Sequence, residues 1–279
     1  TLEAFIEVGD DCSPGPLAGQ ALVCGGENGH FISSNSLDVT TNTMTLMAWI
    51  RPEGVQDDYT GLIFNDAIGA GMNLRGDNEL GYHWPGGSTH WAWSSGLRVP
   101  EDEWSFVVMV ITPEQVTMYL NEEEVTRTFG SPVEAAFWGN FRIGTYQGWT
   151  SRNFRGQIDE AVIWNRALDR DEIRSWRHLT KQRQVNPAHE LYDETLLAYY
   201  QFNEFSGPVY DRANDNHGIL WGIAERVPSS APIGDGSSSK QTVNTGGSYA
   251  FVEEQLMLDF PAAGTYPGEE VVVTRLQNT

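Results

Sequence analysis

The chain has 279 residues, 40% of them hydrophobic and 11% aromatic, and its 17 Lys and Arg against 38 Asp and Glu leave a formal charge of −21. The apolar content excludes disorder, and the length suits one large all-β domain or two smaller units. A phosphate backbone is bound through Lys and Arg that displace counterions, so the acidic balance argues against nucleic acid. The longest central apolar run, FVVMVI at 106–111, falls far short of the roughly 20 residues that insert into a bilayer.

Residues 1–20 are turn-rich, with Gly9, Pro14, Gly15, Pro16 and Gly19. The opening TLEAFIEVGDD carries neither a basic nor an apolar leader region and reads as a mature segment or a piece of a longer protein. Cys12 and Cys24 are the two cysteines. A bridge between them, which we expect, closes a short loop for about 3 kcal/mol in the chain-entropy account and implies an oxidising compartment. The competing reading makes Cys24, beside Leu22 and Val23, a buried hydrophobe and Cys12 a free surface thiol.

Strand signals then follow at short intervals: MTLMAWIR at 44–51, GLIFN at 61–65, MNLRG at 72–76, ELGYHW at 79–84, WSFVVMVI at 104–111 and QVTMYLN at 115–121. In the last, Val116, Met118 and Leu120 share one face and Thr117 and Tyr119 the other, the alternation of a half-buried strand. FRIGT at 141–145 and QIDEAVIWN at 157–165 complete a group that predicts an antiparallel two-sheet sandwich. A short packing helix is expected at 169–179, capped by Asp169 with Glu172 three residues on and held by Leu168, Ile173 and Trp176. Beyond a polar boundary at 181–195, LLAYYQFN at 196–203 is a further strand, GDGSSSK at 234–240 a flexible connector, and 248–276 holds three more strand candidates.

The succession ALVCGGENGHFIS, TMTLMAWIRP, SGLRVPEDEWSFVVMVI, VTMYLN, FRIG and FRGQIDEAVIWNRALDRDEI resembles the laminin G-like, concanavalin A-like jelly-roll family and its pentraxin-type relatives over about residues 20–180. Its landmarks are Trp49 and Pro52, the Trp104 strand, and Gly156-Gln157-Ile158-Asp159-Glu160 followed by Asn165-Arg166-Ala167-Leu168. YYQFNEFSGPVYDRANDNHGILWG at 199–222 is similar to a motif that often opens such a unit, and its placement resembles large multi-domain surface proteins of bacteria. The resemblance implies an all-β jelly roll with one short helix. We expect an opening segment at 1–20 and a jelly roll over 21–228, with its core at 21–180 and a returning stretch at 196–222. A C-terminal β segment over 229–279 either packs on the same sandwich or begins a following module. Gly25-Gly26 replaces an early-strand Asp that relatives commonly carry, which weakens calcium binding there. Asn121-Glu122 stands where the hairpin usually has Asn-Gly, and Asn tolerates the left-handed backbone that this turn needs.

Two constellations could carry function. Tyr82, His83, Trp84 and His90, with Trp91 and Trp93, crowd one loop, and Tyr146, Trp149 and Arg152 could form an opposite wall. Aromatic planes stack on sugar C–H faces while polar groups bond hydroxyls. Trp84 and Trp149, beside Gly and Pro, are read as the stacking pair, whereas Trp91 and Trp93 are read as core. Asn203, Glu204, Asp211, Asn214, Asp215 and Asn216, joined by Asp159 and Glu160, offer the oxygen donors that calcium requires. A solvated turn is the competing account, because Asn and Asp are also turn formers. Catalytic motifs are absent: QIDEAVI lacks the alternating carboxylates of sandwich glucanases, and no HExxH, GxSxG or CxxC occurs.

The resulting expectation is a non-catalytic, secreted or surface-displayed module that binds an extracellular glycan or polysaccharide, with a structural calcium. A structural adhesin spacer or protein-interaction module bound to a surface protein is the first alternative, and an unrecognised glycosidase the second.

Overall fold

The structure, a computed structural model, describes residues 4–9, 19–26, 28–87, 90–129, 134–147, 150–177, 193–233, 238–243, 247–251, 256–260 and 269–275. In chain order the strands are β1 (Ala4–Gly9), β2 (Gln20–Gly25), β3 (His30–Ser36), β4 (Val39–Thr41), β5 (Met44–Pro52), β6 (Thr60–Asn65), β7 (Gly71–Arg75), β8 (Glu79–His83), β9 (Ser105–Ile111), β10 (Gln115–Leu120) and β11 (Glu123–Thr128). There follow β12 (Ala135–Phe137), β13 (Asn140–Ile143), β14 (Arg155–Trp164), helix α1 (Arg170–Arg177), β15 (Leu196–Tyr200), β16 (Gly218–Trp221), β17 (Glu225–Pro228), β18 (Ser238–Val243), β19 (Gly247–Phe251), β20 (Leu256–Phe260) and β21 (Glu269–Arg275).

Two compact units divide the chain. One comprises Thr1–Ala18, Arg174–Thr180 and Pro232–Thr279. In it β1 and β18 flank β21 in an antiparallel sheet, and β19 pairs with β20.

The other, Gly19–Ile173 with Lys181–Ala231, is the sandwich. Its eight-stranded sheet runs β11-β10-β9-β5-β14-β2-β17, and β15 also pairs with β14. Strand β14 divides its free side: residues 155–158 pair with β2, and 161–164 pair with β15. The six-stranded sheet runs β16-β3-β13-β6-β7-β8. The stretch around 199–222 thus contributes a strand to each sheet.

The alternation expected of half-buried strands sets the core. Leu46, Ala48 and Ile50 of β5, Val107 and Met109 of β9, Met118 of β10 and Ile158 of β14 belong to one buried cluster with Phe31, Met72, Leu74, Leu80, Tyr82, Phe141 and Ile143 of the other sheet. Burying this much apolar surface is the main stabilising term, at about 25 cal/mol per Å² removed from water. Strand β9 is unbroken in its apolar character because both its faces are buried, with Phe106 against Trp49 at 5.4 Å between ring centroids. Asn121 takes φ +55 in the β10–β11 turn, and its Oδ1 accepts from the Phe106 amide at 2.9 Å.

The predicted capping box forms. The Glu172 amide donates to Asp169 Oδ1 and the Asp169 amide to Glu172 Oε2, both at 2.9 Å. Arg166 grips the same Glu172 through two bonds of 2.9 and 2.8 Å and reaches Asp193 at 3.0 Å.

Candidate functional site

On the outer face of the six-stranded sheet, cross-strand register sets Gly61, Asn73 and Gly81 in one row and Gly71 beside His83 in the next. Lacking side chains, the glycines leave a shallow floor that the loop after β13 enters. A Cβ on Gly61 would lie 2.3 Å from the Tyr146 amide nitrogen, so only glycine lets this loop approach. Asn73 is 1% exposed between Gly61 and Gly81, and among the described residues neither polar atom of its carboxamide has a hydrogen-bond partner.

Tyr146 packs on Phe64 at 4.3 Å between ring centroids and brings its hydroxyl to Nδ1 of His83. The guanidinium of Arg152 sits 4.7 Å from the Tyr146 ring and 5.3 Å from that of Tyr59. Trp91 closes the ring of contacts, 6.3 Å from Tyr59 and 6.5 Å from His83, and 37% of its surface is open to solvent. Arg75 lies 5.7 Å from Tyr59 and donates to the carbonyl oxygens of Ala92 and Trp93, tying the Trp91 loop to β7. Burial, with Arg152 and His90 nearby, holds the His83 imidazole below its usual range, so it is neutral at pH 7.

Buried amide side chains hold the loops in place. Asn78 accepts from the Gln56 amide at 2.7 Å and donates to the Gly54 carbonyl at 3.1 Å. Gln56 in turn bridges to Arg155 of β14, accepting at 2.8 Å and donating at 3.0 Å. This anchorage presents Tyr59, whose φ of +64 is uncommon for a bulky residue. Across the site, Glu79 accepts from the Gly96 amide at 2.6 Å and pins the Trp91 loop against β8.

The expected division of indoles fails at Trp84 and Trp91. Trp84, read as a stacking platform, is 1% exposed in the core, 5.3 Å from Phe137. Trp91, read as core, is the exposed one; Trp93 is partly buried against the core, 6.0 Å from Tyr82. Strand alternation explains the first correction: Leu80, Tyr82 and Trp84 face inward and His83 outward. Tyr82 is therefore also core, 2% exposed, with burial pushing its hydroxyl up to about 12 against the pull of Arg127. His90 is 4% exposed, 4.8 Å from Phe129, and offers no accessible face. Trp149 and Cys12 lie outside the described residues. Cys24 is a free thiol, 1% exposed, whose pKa burial pushes far up. Of the expected loop and its opposite wall, His83 on one side and Tyr146 and Arg152 on the other meet in one place. Tyr59 and Arg75 join them without any motif to announce them.

Most of the donors expected to hold calcium have other partners, while Asp211 Oδ2 and Glu160 Oε1 are buried without a hydrogen-bond partner among the described residues. Asp211 accepts from the Tyr199 and Ala213 amides at 2.9 Å each, and burial still raises its carboxyl to about 6. Asn203 accepts from the Gln20 amide at 2.7 Å. Glu204 pairs with Arg212 at 2.9 Å and lies 3.8 Å from Arg226. Asn214 spends its amide on the Leu196 and Leu197 carbonyls, and Asp215, exposed, lends its backbone carbonyl to Asn35. Asp159 is fully buried, bonded by the Ser229 hydroxyl at 2.6 Å, and Glu160 meets the Tyr199 hydroxyl. Among the described residues no group of three or more His, Cys, Asp or Glu side chains is placed to hold a metal. The set does not fit a calcium cradle, which needs six to eight oxygens converging on one point.

The family profile described as the concanavalin A-like lectin/glucanases superfamily, a laminin G type, matches residues 25–174, more than half of the chain. No curated protein matches the sequence. Among solved structures, a Bacteroides ovatus protein assigned to carbohydrate binding is similar at a TM-score of 0.60 and 15% identity, over 77% of this chain and 61% of its own. The SAP-like pentraxin of Limulus polyphemus aligns at 0.50 and 14%, over 74% and 96% respectively. Domain 4 of a GH43 extracellular arabinanase from Geobacillus stearothermophilus, in complex with arabinotriose, aligns at 0.46 and 23%, over 62% and 81%. The chain thus spans 61% of the Bacteroides ovatus protein's length, and at these identities the likeness is one of fold. With the profile covering the sandwich from β2 into α1, the chain belongs to the concanavalin A-like lectin/glucanases superfamily.

Proposed function

We propose that the sandwich is a non-catalytic, extracellular carbohydrate-binding module whose ligand lies on the cluster of Tyr59, His83, Trp91, Tyr146 and Arg152. The observation that carries this reading is the partly exposed Trp91 indole beside Tyr59, with the Arg152 guanidinium against two further ring faces. Such a surface offers a plane to sugar C–H groups and charged or imidazole donors and acceptors to the hydroxyls around them. The fold shared with the Bacteroides ovatus protein supports the class of ligand. The extracellular setting rests on the resemblance of residues 199–222 to bacterial surface proteins.

The non-catalytic part rests on the carboxylates. Hydrolysis through a carboxylate pair needs both facing the bound sugar, and the adjacent pair Asp159 and Glu160 is 0% and 5% exposed and beyond the reach of a glycosidic oxygen. Screening the protein on a glycan array, followed by calorimetry of each hit with the Trp91→Ala variant, tests the proposal. Hits whose affinity falls in the variant support it, and no hit at all, or hits indifferent to Trp91, overturn it.

A second reading, a protein-interaction surface, draws on edge strand β16 and its surroundings. Ile219, Trp221 and Ile223 are 46%, 53% and 63% exposed there. Glycan-negative protein that captures a surface protein through Trp221 would favour it.

A further inference from the structure

The outer face of the eight-stranded sheet carries a second feature. Register places Glu225 beside Val23 and Val23 beside Gln157, with Arg51 on the far side of Gln157. The row therefore crosses β17, β2, β14 and β5 on the face turned away from Leu22, Ile50 and Ile158, which lie in the core. The next row on this face is closed: Trp49 and Asp159 are 1% and 0% exposed. There the segment after β17 bonds Asp159 through Ser229 and accepts the Trp104 indole N–H on Ser230 at 2.9 Å. Where that cover ends, a groove of about 280 Å³ opens, lined by Val23, Arg51, Glu53, Asp102 and Gln157 with Pro52 and Gly156.

Its polar groups have spare capacity. Arg51 donates its Nε–H to the Asp102 carbonyl at 2.9 Å. Among the described residues the rest of that guanidinium, the Gln157 carboxamide and the Glu53 and Asp102 carboxylates have no hydrogen-bond or ion-pair partner within the protein. Two other arginines of the sandwich are matched to carboxylates, Arg166 to Glu172 and Arg142 to Asp66.

We infer that this groove is a second ligand site and that it takes a neutral, polyhydroxylated unit such as one sugar residue. Guanidinium and carboxamide supply donors and the two carboxylates acceptors, which matches hydroxyls that both give and receive. Val23 and Pro52 offer apolar contact for ring C–H groups. One positive charge against two negative disfavours an acidic sugar. The volume lies just below the usual range of small-molecule pockets, which limits the occupant to a single ring.

Titrating the isotope-labelled protein with methyl β-glucoside, methyl β-galactoside and methyl β-xyloside, and following amide shifts, tests the site. The expected result is saturable movement at Val23, Arg51, Asp102 and Gln157 with at least one probe, at an affinity on the order of millimolar. The Arg51→Ala and Gln157→Leu variants should each weaken it by about tenfold or more. Should either fail to fold, the exposed pair Glu53→Gln and Asp102→Asn serves as the second variant. Absence of shifts in the groove with every probe overturns the inference, as does movement indifferent to these variants. The two sites are read separately: Trp91→Ala leaves groove shifts intact, and shifts confined to Tyr59, His83 and Tyr146 would defeat the groove while sparing the proposed function.

Discussion

The Arg152 guanidinium lies 4.7 Å from the centroid of the Tyr146 ring. Arg152 leaves the short 3₁₀ turn at 150–152, and its carbonyl accepts the Tyr146 amide at 3.2 Å, so backbone and side chain hold the pair together. A planar guanidinium against a ring face places a fixed positive charge at the cluster. Replacing Arg152 with Ala should lower glycan affinity about fivefold, and Arg152→Lys should recover only part of that loss, with the thermal midpoint little changed in either. Calorimetry beside thermal melts checks this; equal loss of affinity and fold stability would reduce Arg152 to a structural residue.

Stability should fall between about pH 6.5 and pH 8. Burial raises the Glu160 carboxyl to about 8 against the pull of Tyr199, Gln201 and Arg212, and burial together with the Glu160 charge holds Asp159 well above its ordinary range. The folded protein therefore retains a proton that the unfolded chain releases above about 4.5, and stability declines as pH rises through that interval. Below 6.5 the buried imidazoles of His30, His83 and His90 act oppositely, since the unfolded chain takes protons that they refuse. Melting temperatures measured from pH 6.5 to 8 should drop for the native protein, and the slope should flatten in Glu160→Gln.

Gly144 and Cys24 are coupled. A Cβ on Gly144 would stand 2.3 Å from the Cys24 sulfur, on a backbone with φ +86. Gly144→Ala should cost roughly 2–3 kcal/mol from crowding and strain together. In a Cys24→Ala background the crowding is relieved and the strain remains, so the added cost should shrink by about 1 kcal/mol or more. Urea melts of the four proteins give the coupling directly.

Chelation should leave the sandwich's melting temperature unchanged. Oδ1 of Asp211, Oδ1 of Asn203 and Oε1 of Glu204 each accept from an amide or a guanidinium group. A shift of several degrees on adding EDTA, restored by calcium, would show a metal held elsewhere.

The sandwich was legible because period-two patterning and the Gly156–Leu168 run are local signals. The helix was equally readable, as Asp169 and Glu172 are three residues apart. The site was half legible. His83, Tyr146 and Arg152 carry recognisable side chains, but Tyr59 follows two acidic residues that read as plain surface. It reaches the cluster through Gln56 and Asn78, a long-range anchorage that no spacing reveals. Trp84 was misplaced because Pro and Gly after it look like a loop, while the inward alternation of β8 carries on to that position. The calcium donors were ambiguous from the start, because Asn and Asp in a turn serve the backbone as readily as a cation.

Strand β2 has consequences for biosynthesis. Among the described residues its partners are β14 and β17, so residues 20–25 pair with residues 155–158 and 225–228. As the ribosome delivers the chain, this hydrophobic strand waits for roughly two hundred residues before both neighbours exist. Sheet closure is consequently a late and slow event. In that interval an exposed strand edge is open to the wrong pairing.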